Sequence, residues 1–341
     1  MRTTLRAVGK NPAAPNRYVG WLNTHPKYAK KPISMREHLR RIRNVVESAR
    51  ALGYVPERIP QDGALEKAEP VVSDQEEIRD DPLHTSRGER IMSWLRAQKP
   101  YSIDDVLWTL VWRYGLRVSA IRALDRDHVV FEPHEADDWP AQHEFYPHLH
   151  LRDRPELGGK EDEGLPLKNT NPVHGERLIP MNDEDAESIR GYVDRGTPTG
   201  ATTSRKAWEE HGEPDKYGLF GLITSEHTAR ISKKTIRQRV HAITCPTAYT
   251  DTNCHCDGCA EYRAGNDGAN PRPSQRGTHC TRTRSPHQCR HGAITNMLDD
   301  GKDHETIASV VGTSPKTIRD VYDRADKHDR FDRTAQGWLP E

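Results

Sequence analysis

The chain has 341 residues, enough for two domains, and its 51 Lys plus Arg balance 51 Asp plus Glu, so net charge alone does not mark a nucleic-acid binder. Charged residues make up 30% and hydrophobic residues only 33%, and arginine far outnumbers lysine; one reading is an acidic surface that keeps the protein hydrated in a cytosol of high ionic strength, and the other is simply long polar loops. No run of 18 apolar residues exists to cross a membrane, and the start MRTTLRAVGKNPAAPNRY lacks the apolar segment of a secretion signal, so the six Cys are expected to stay reduced in the cytoplasm.

Residues 1–20 read as a loose, flexible N-terminus. A helix is predicted over residues 34–52, SMREHLRRIRNVVESARAL, with Met35, Leu39, Ile42, Val46 and Ala49 at three- and four-residue spacing, Ser34 as its cap and Gly53 at its end. Arg36, Arg40 and Arg43 share a neighbouring face, a stripe suited to phosphate contacts. Residues 55–85 are rich in Pro and acid and suit a linker. Helices follow at RGERIMSWLRAQ, SIDDVLWTLVWRYGL and VSAIRALDRDHV. Strands are expected at HVVFEP, EFYPHLHLRD and ERLIPM, where PHLHLRD alternates apolar and polar residues. NDEDAESIRGYV reads as a helix, GLFGLITS as strand-like, KKTIRQRVHAI as a helix, and residues 285–328 as helical.

These elements predict a mostly α chain with a small antiparallel β-sheet. The expected division is a small helical DNA-binding domain over 21–75 and an α+β domain over 76–341, with a Cys-rich insertion at 245–284.

Four stretches carry the chemistry. YGLRVSAIRAL holds Arg117 at a helix start after Gly115, and LPLKNTNPVHGERLIPM holds Lys168 in a hairpin with a K-x…R-x-x-P pattern. SPHQCRHGAIT holds His287 and Arg290 three residues apart, on one side of a helix whose cap and first turn are Ser285 and Pro286. VGTSPKTIRDVY ends on Tyr322, ten residues after Gly312. A helix start welcomes an anion, and two guanidiniums can grip the non-bridging oxygens of a phosphodiester and stabilise the extra charge of its transition state.

In this order the four stretches resemble the catalytic domain of the tyrosine recombinases, the phage-integrase family. The resemblance covers roughly residues 80–328 and is nearest to haloarchaeal site-specific integrases. It implies a site-specific recombinase that cuts and rejoins DNA during integration or excision of a mobile element, with no cofactor for catalysis. Arg117 and Arg290 would hold the phosphate. Tyr322 would attack it, His287 would act as base or hydrogen-bond partner, and Lys168, with Lys160 as its rival, would protonate the leaving 5′ oxygen. Double-stranded attachment sites and a homo-tetramer assembled on DNA are implied as well. Two positions depart from the family: its supporting Glu is Ala120 here, and the His or Trp after the glycine is Thr313.

Cys245, Cys254, Cys256, Cys259 and Cys280 cluster in an otherwise polar stretch. Such spacing in a reducing compartment suits structural zinc. The favoured set is Cys245, Cys254, Cys259 and Cys280, with Cys256, His255 and His279 as substitutes; Cys289 reads as a packing residue.

A competing reading takes DHETIASVVGTSPKTIRDVY as the helix-turn-helix of a non-catalytic regulator, with Lys316, Thr317 and Arg319 on DNA and Tyr322 in the core. It leaves Arg117, Lys168 and the H-x-x-R box without a task. A degenerate recombinase that binds without cutting lies between the two.

Overall fold

The computed structural model describes residues 14–24, 32–53, 82–135, 139–153, 167, 175–194, 221–223, 230–250 and 253–323. The chain divides into two compact units, Met1–Asp80 and Asp81–Glu341.

In the first unit, α1 spans Ala14–Thr24 and α2 spans Pro32–Ala51. Helix α1 replaces part of the loose chain expected there: Pro15 falls in its first turn, where a missing N–H costs nothing, and the rings of Tyr18 and Trp21 stack at 6.0 Å. Helix α2 begins two residues before the expected Ser34 cap, at another proline. Met35, Leu39 and Val46 are buried, while Arg40 is exposed and Arg36 and Arg43 are half-buried.

The second unit opens with α3 (Thr85–Gln98) and α4 (Ile103–Trp108). Ser102 caps α4 by accepting from the Asp105 N–H at 3.2 Å. The chain then widens into a π-turn over Thr109–Arg113, where one continuous α-helix was expected. Trp108 and Trp112 stack at 5.9 Å inside the core. Helix α5 (Val118–Ala123) leads into β1 (Val129–Val130), β2 (His148–Leu151) and β3 (Arg177–Pro180). The three strands form one antiparallel sheet in the order β1-β2-β3, with Val129 opposite Leu149 and Leu149 opposite Ile179. Leu149, Leu151 and Ile179 are buried, as a half-buried sheet requires.

Helix α6 (Asp183–Asp194) packs on α4 through a buried polar network. Arg96 Nη2 meets Asp185 Oδ1 at 2.8 Å and Arg96 Nε meets Asp105 Oδ1 at 3.1 Å. The Tyr114 hydroxyl donates to Asp185 Oδ2 at 2.9 Å and Ser188 donates to Asp105 Oδ2 at 2.8 Å. The GLFGLITS segment makes only an isolated bridge, Gly221 with Asp125, among its described residues. There the backbone of Leu222 bonds Leu124, which follows α5, instead of extending the sheet.

Helix α7 (Lys233–Thr244) is followed by the short helices α8 (Asp257–Ala264) and α9 (Arg276–His279). Three further helices end the described chain: α10 (Pro286–Asp299), α11 (His304–Val311) and α12 (Pro315–Thr317), which runs into a π-turn over Ile318–Tyr322. Two apolar clusters meet along α10. Cys289 and Ala293 belong to the main core with α3, α4 and the sheet, whereas Ile294, Met297 and Leu298 join Ile307, Val311, Ile318 and Tyr322. Among the described residues no helix is long and apolar enough to cross a membrane.

Candidate active site

The site is built around the C-terminal end of α11. That helix stops at Gly312, whose φ of +69° is a backbone conformation side-chain-bearing residues avoid. A Cβ there would also lie 2.6 Å from the Arg177 guanidinium. Three successive carbonyls at this end each accept from a different arginine. Arg177 Nε donates to Val310 at 3.0 Å, Arg290 Nη1 to Val311 at 2.8 Å, and Arg117 Nη1 to Gly312 at 2.5 Å. A helix C-terminus carries partial negative charge, which offsets the repulsion among three cations.

Each arginine arrives from a different element. Arg117 is the residue just before α5, Arg177 opens β3, and Arg290 lies in the second turn of α10. That helix starts as the sequence predicts: Ser285 Oγ accepts from the Gln288 N–H, and Gln288 returns the bond to the Ser285 N–H at 2.9 Å. Arg290 is 1% exposed and also donates to the Gly115 carbonyl at 2.5 Å. Its Nε and Nη2 are buried, and the Tyr322 hydroxyl lies close enough to the guanidinium to stabilise its charge.

Burial lowers the pKa of all three guanidiniums. Arg290 falls to about 10 through burial and then Arg117, partly offset by Tyr322. Arg177 falls to about 9 through burial and then Arg290 and Arg117. Arg117 is lowered by burial and partly restored by Tyr322. The cluster is short of negative charge, which is the electrostatic condition for holding an anion.

Tyr322 ends the π-turn and is 8% exposed. Its ring meets His291 edge-on, with centroids 4.9 Å apart. The next residue, Asp323, meets His304 Nε2 at 3.0 Å and ties the turn to the start of α11.

Arg117, Arg290 and Tyr322 thus come together as their spacing suggested. His287 and Arg290 do not share one environment: Arg290 is buried, while His287 is exposed in the first turn of α10. The imidazole against Tyr322 is that of His291, one residue past the box. Arg177 stands in the quoted hairpin pattern, which marks no site role for it; its contact with Val310 spans 133 residues, which local spacing cannot reveal. Lys168 and Lys160 lie outside the described residues. Leu167, next to Lys168, is buried, and its N–H donates to Asp153 Oδ1 at 2.6 Å. Thr313 and Ala120 are both buried.

No family model matches the sequence, and no curated protein does. Solved structures do. A Tn1549 transposon integrase fragment in complex with transposon right end DNA aligns at 14% identity over 96% of this chain and 85% of that one, with a TM-score of 0.54. The same integrase in complex with a circular intermediate DNA aligns at 15% identity over 94% of this chain and 84% of that one, again at 0.54. The fold is that of a tyrosine-recombinase catalytic domain. Within this recombinase fold the small sheet supplies Arg177, and the helices after it supply Arg290 and Tyr322.

The five cysteines form a separate buried cluster. The sulfurs of Cys254, Cys256, Cys259 and Cys280 all lie within 4.8 Å of one another. This set differs by one member from the expected one, with Cys256 in place of Cys245. Cys245 follows the last residue of α7, and its sulfur bonds the Thr247 hydroxyl at 3.1 Å. Cys289 is buried in the main core, as its packing role predicts.

Proposed function

We propose that the protein is a site-specific DNA recombinase that cuts and rejoins strands through a 3′-phosphotyrosine intermediate, integrating or excising a mobile element. The observation that carries this reading is the convergence of Arg117, Arg177 and Arg290 on the end of α11 beside Tyr322.

In the proposed reaction these arginines hold the non-bridging oxygens of one phosphodiester. The Tyr322 oxygen attacks phosphorus and loses its proton, with His287 as the acceptor once substrate is bound and His291 packed against the Tyr322 ring to hold it. The bond from phosphorus to the 5′ oxygen breaks, and Lys168 protonates that oxygen. The products are a 3′-phosphotyrosine and a free 5′ hydroxyl; attack by a second 5′ hydroxyl reverses the chemistry and completes the exchange. No cofactor takes part. Three guanidiniums give the transition state its electrostatic stabilisation, each on the order of 10²–10³ in rate. Arg36, Arg40 and Arg43 would contact DNA phosphates through the first unit, and two attachment sites would be joined by a tetramer in the cytoplasm. Thr313 stands at the departing phosphate-contact position, so contacts there would come from the arginines.

The test is whether cells expressing the protein accumulate a DNA adduct that survives denaturant, wild type against Tyr322→Phe, with the DNA flanking its own gene included. An adduct lost in the Phe variant establishes tyrosine-mediated cleavage. No adduct from either protein, with DNA binding retained, would favour the helix-turn-helix regulator or a degenerate recombinase.

A further inference from the structure

We propose that Cys254, Cys256, Cys259 and Cys280 bind one structural zinc ion, which fastens the 245–284 insertion to the segment that enters α10. The inference is independent of the proposed catalytic reaction.

The geometry fits a closed tetrahedral site. With Zn–S bonds of about 2.3 Å, a tetrahedron sets its sulfurs about 3.8 Å apart. The Cys254–Cys280 and Cys256–Cys280 sulfur distances are 3.7 Å and 3.8 Å, and all four sulfurs lie within 4.8 Å of one another. These distances are far beyond a disulfide bond of about 2.05 Å. All four residues are buried, with Cys259 at 0% exposed. Four thiolates around a soft divalent cation make a stable, closed centre.

The Cys256–Cys259 turn presses so closely on the end of α9 that a Cβ on Gly258 would collide with the His279 carbonyl oxygen. Arg263 Nη1 donates to the Cys254 carbonyl at 2.8 Å, fixing the first ligand to α8. Zinc with four thiolates carries two net negative charges, and the Arg263 guanidinium at the Cys254 carbonyl supplies positive charge beside them.

The position explains the purpose. Cys280 lies five residues before the Ser285 cap of α10. Between them Arg87 on α3 donates to the Arg282 carbonyl at 2.7 Å and to the Thr244 carbonyl, and its Nε donates to the Tyr249 hydroxyl at 2.7 Å. Thr244 Oγ1 accepts from the Arg284 N–H at 2.9 Å. The zinc centre and this arginine clip would together set where α10 begins, and so where Arg290 sits.

The experiment is elemental analysis of the purified full-length protein, with intact mass under non-reducing conditions and cobalt substitution. The proposal expects one zinc per chain, an unchanged reduced mass, and visible absorption of a tetrahedral tetrathiolate when cobalt replaces zinc. Cys256→Ser should lose the metal and Cys245→Ser should keep it. Less than stoichiometric zinc in wild-type protein grown with zinc, a mass lowered by disulfide formation, or metal retained by Cys256→Ser but lost by Cys245→Ser would each overturn it. Because the wild-type measurement stands alone, poor folding of a variant does not rescue the idea.

Discussion

Arg290 Nη1 donates to the Val311 carbonyl at 2.8 Å, between the carbonyl taken by Arg177 and the one taken by Arg117. Side chains that stand 60 to 173 residues apart in sequence are thereby set in adjacent positions on one helix end. A planar guanidinium can bond a carbonyl from one nitrogen and keep others for a ligand; an ammonium offers a single point of attachment.

Arg177 should therefore matter to phosphate chemistry as well as to the sheet. Arg177→Lys keeps charge but loses the fork that bonds both Val310 and Gly175. Cleavage of a DNA substrate should fall on the order of 10²-fold, with DNA binding changed far less. Single-turnover cleavage measures the first and a gel-shift titration the second. Equal losses in both would assign Arg177 to binding or folding alone.

Gly312→Ala tests the helix end directly. The left-handed backbone costs an alanine about 1–2 kcal/mol, and its methyl would displace the Arg177 guanidinium. We expect an unfolding free energy lowered by that amount, together with a cleavage defect that persists at temperatures where the variant is fully folded. A variant with normal cleavage after correction for folding would contradict this account.

The Arg96–Asp185–Tyr114 network predicts a stability effect remote from the site. Burial pushes the Asp185 carboxyl up, while the hydrogen bond from Tyr114 and the charge of Arg96 hold it back. Asp185→Ala leaves Arg96 and the Tyr114 hydroxyl short of a partner, and breaking such a pair costs about 3–5 kcal/mol. Since Arg96 keeps Asp105, we place the loss near the lower end. Urea unfolding should show a lower midpoint at unchanged slope.

His241 predicts a pH effect. Burial lowers its pKa below the ordinary histidine value, and its Nδ1 lies 3.2 Å from Thr283 Oγ1, which itself donates to the Cys280 carbonyl. The unfolded chain takes up this proton first as pH falls. Stability from neutral His241 is thus fully present above about pH 6.5 and is lost below it, at no more than about 1.4 kcal/mol per pH unit. His241→Gln should flatten the fall in melting temperature between pH 7 and 5, leaving the part due to His150, which burial lowers in the same way. An unchanged slope would remove His241 from the account.

Local features were legible where a short-range rule decides them. The Ser285-Pro286 start of α10, the alternation in PHLHLRD and the Gly312 stop of α11 all depend on neighbours within a few residues. Arg117, Arg290 and Tyr322 could be singled out because each sits in such a signal. Arg177 could not, because its place follows from the register of β3 against β2 and from contacts with a helix far along the chain. Which four of the five cysteines group most tightly has the same origin: spacing counts Cys245 and Cys256 alike, while packing sets Cys256 within 4.8 Å of Cys254, Cys259 and Cys280. Helix α1 is hidden in a stretch rich in Pro and Gly, because a first turn tolerates a proline that elsewhere would break a helix.

The row of carbonyls at the end of α11 has a thermodynamic consequence. Freezing one long side chain on binding costs roughly 0.5–1.5 kcal/mol in lost rotamer freedom. Here Arg117, Arg177 and Arg290 have met that cost during folding, through bonds to the protein's own backbone. An anion entering the site would meet donors already held in place, so more of its interaction energy would appear as affinity or as a faster reaction.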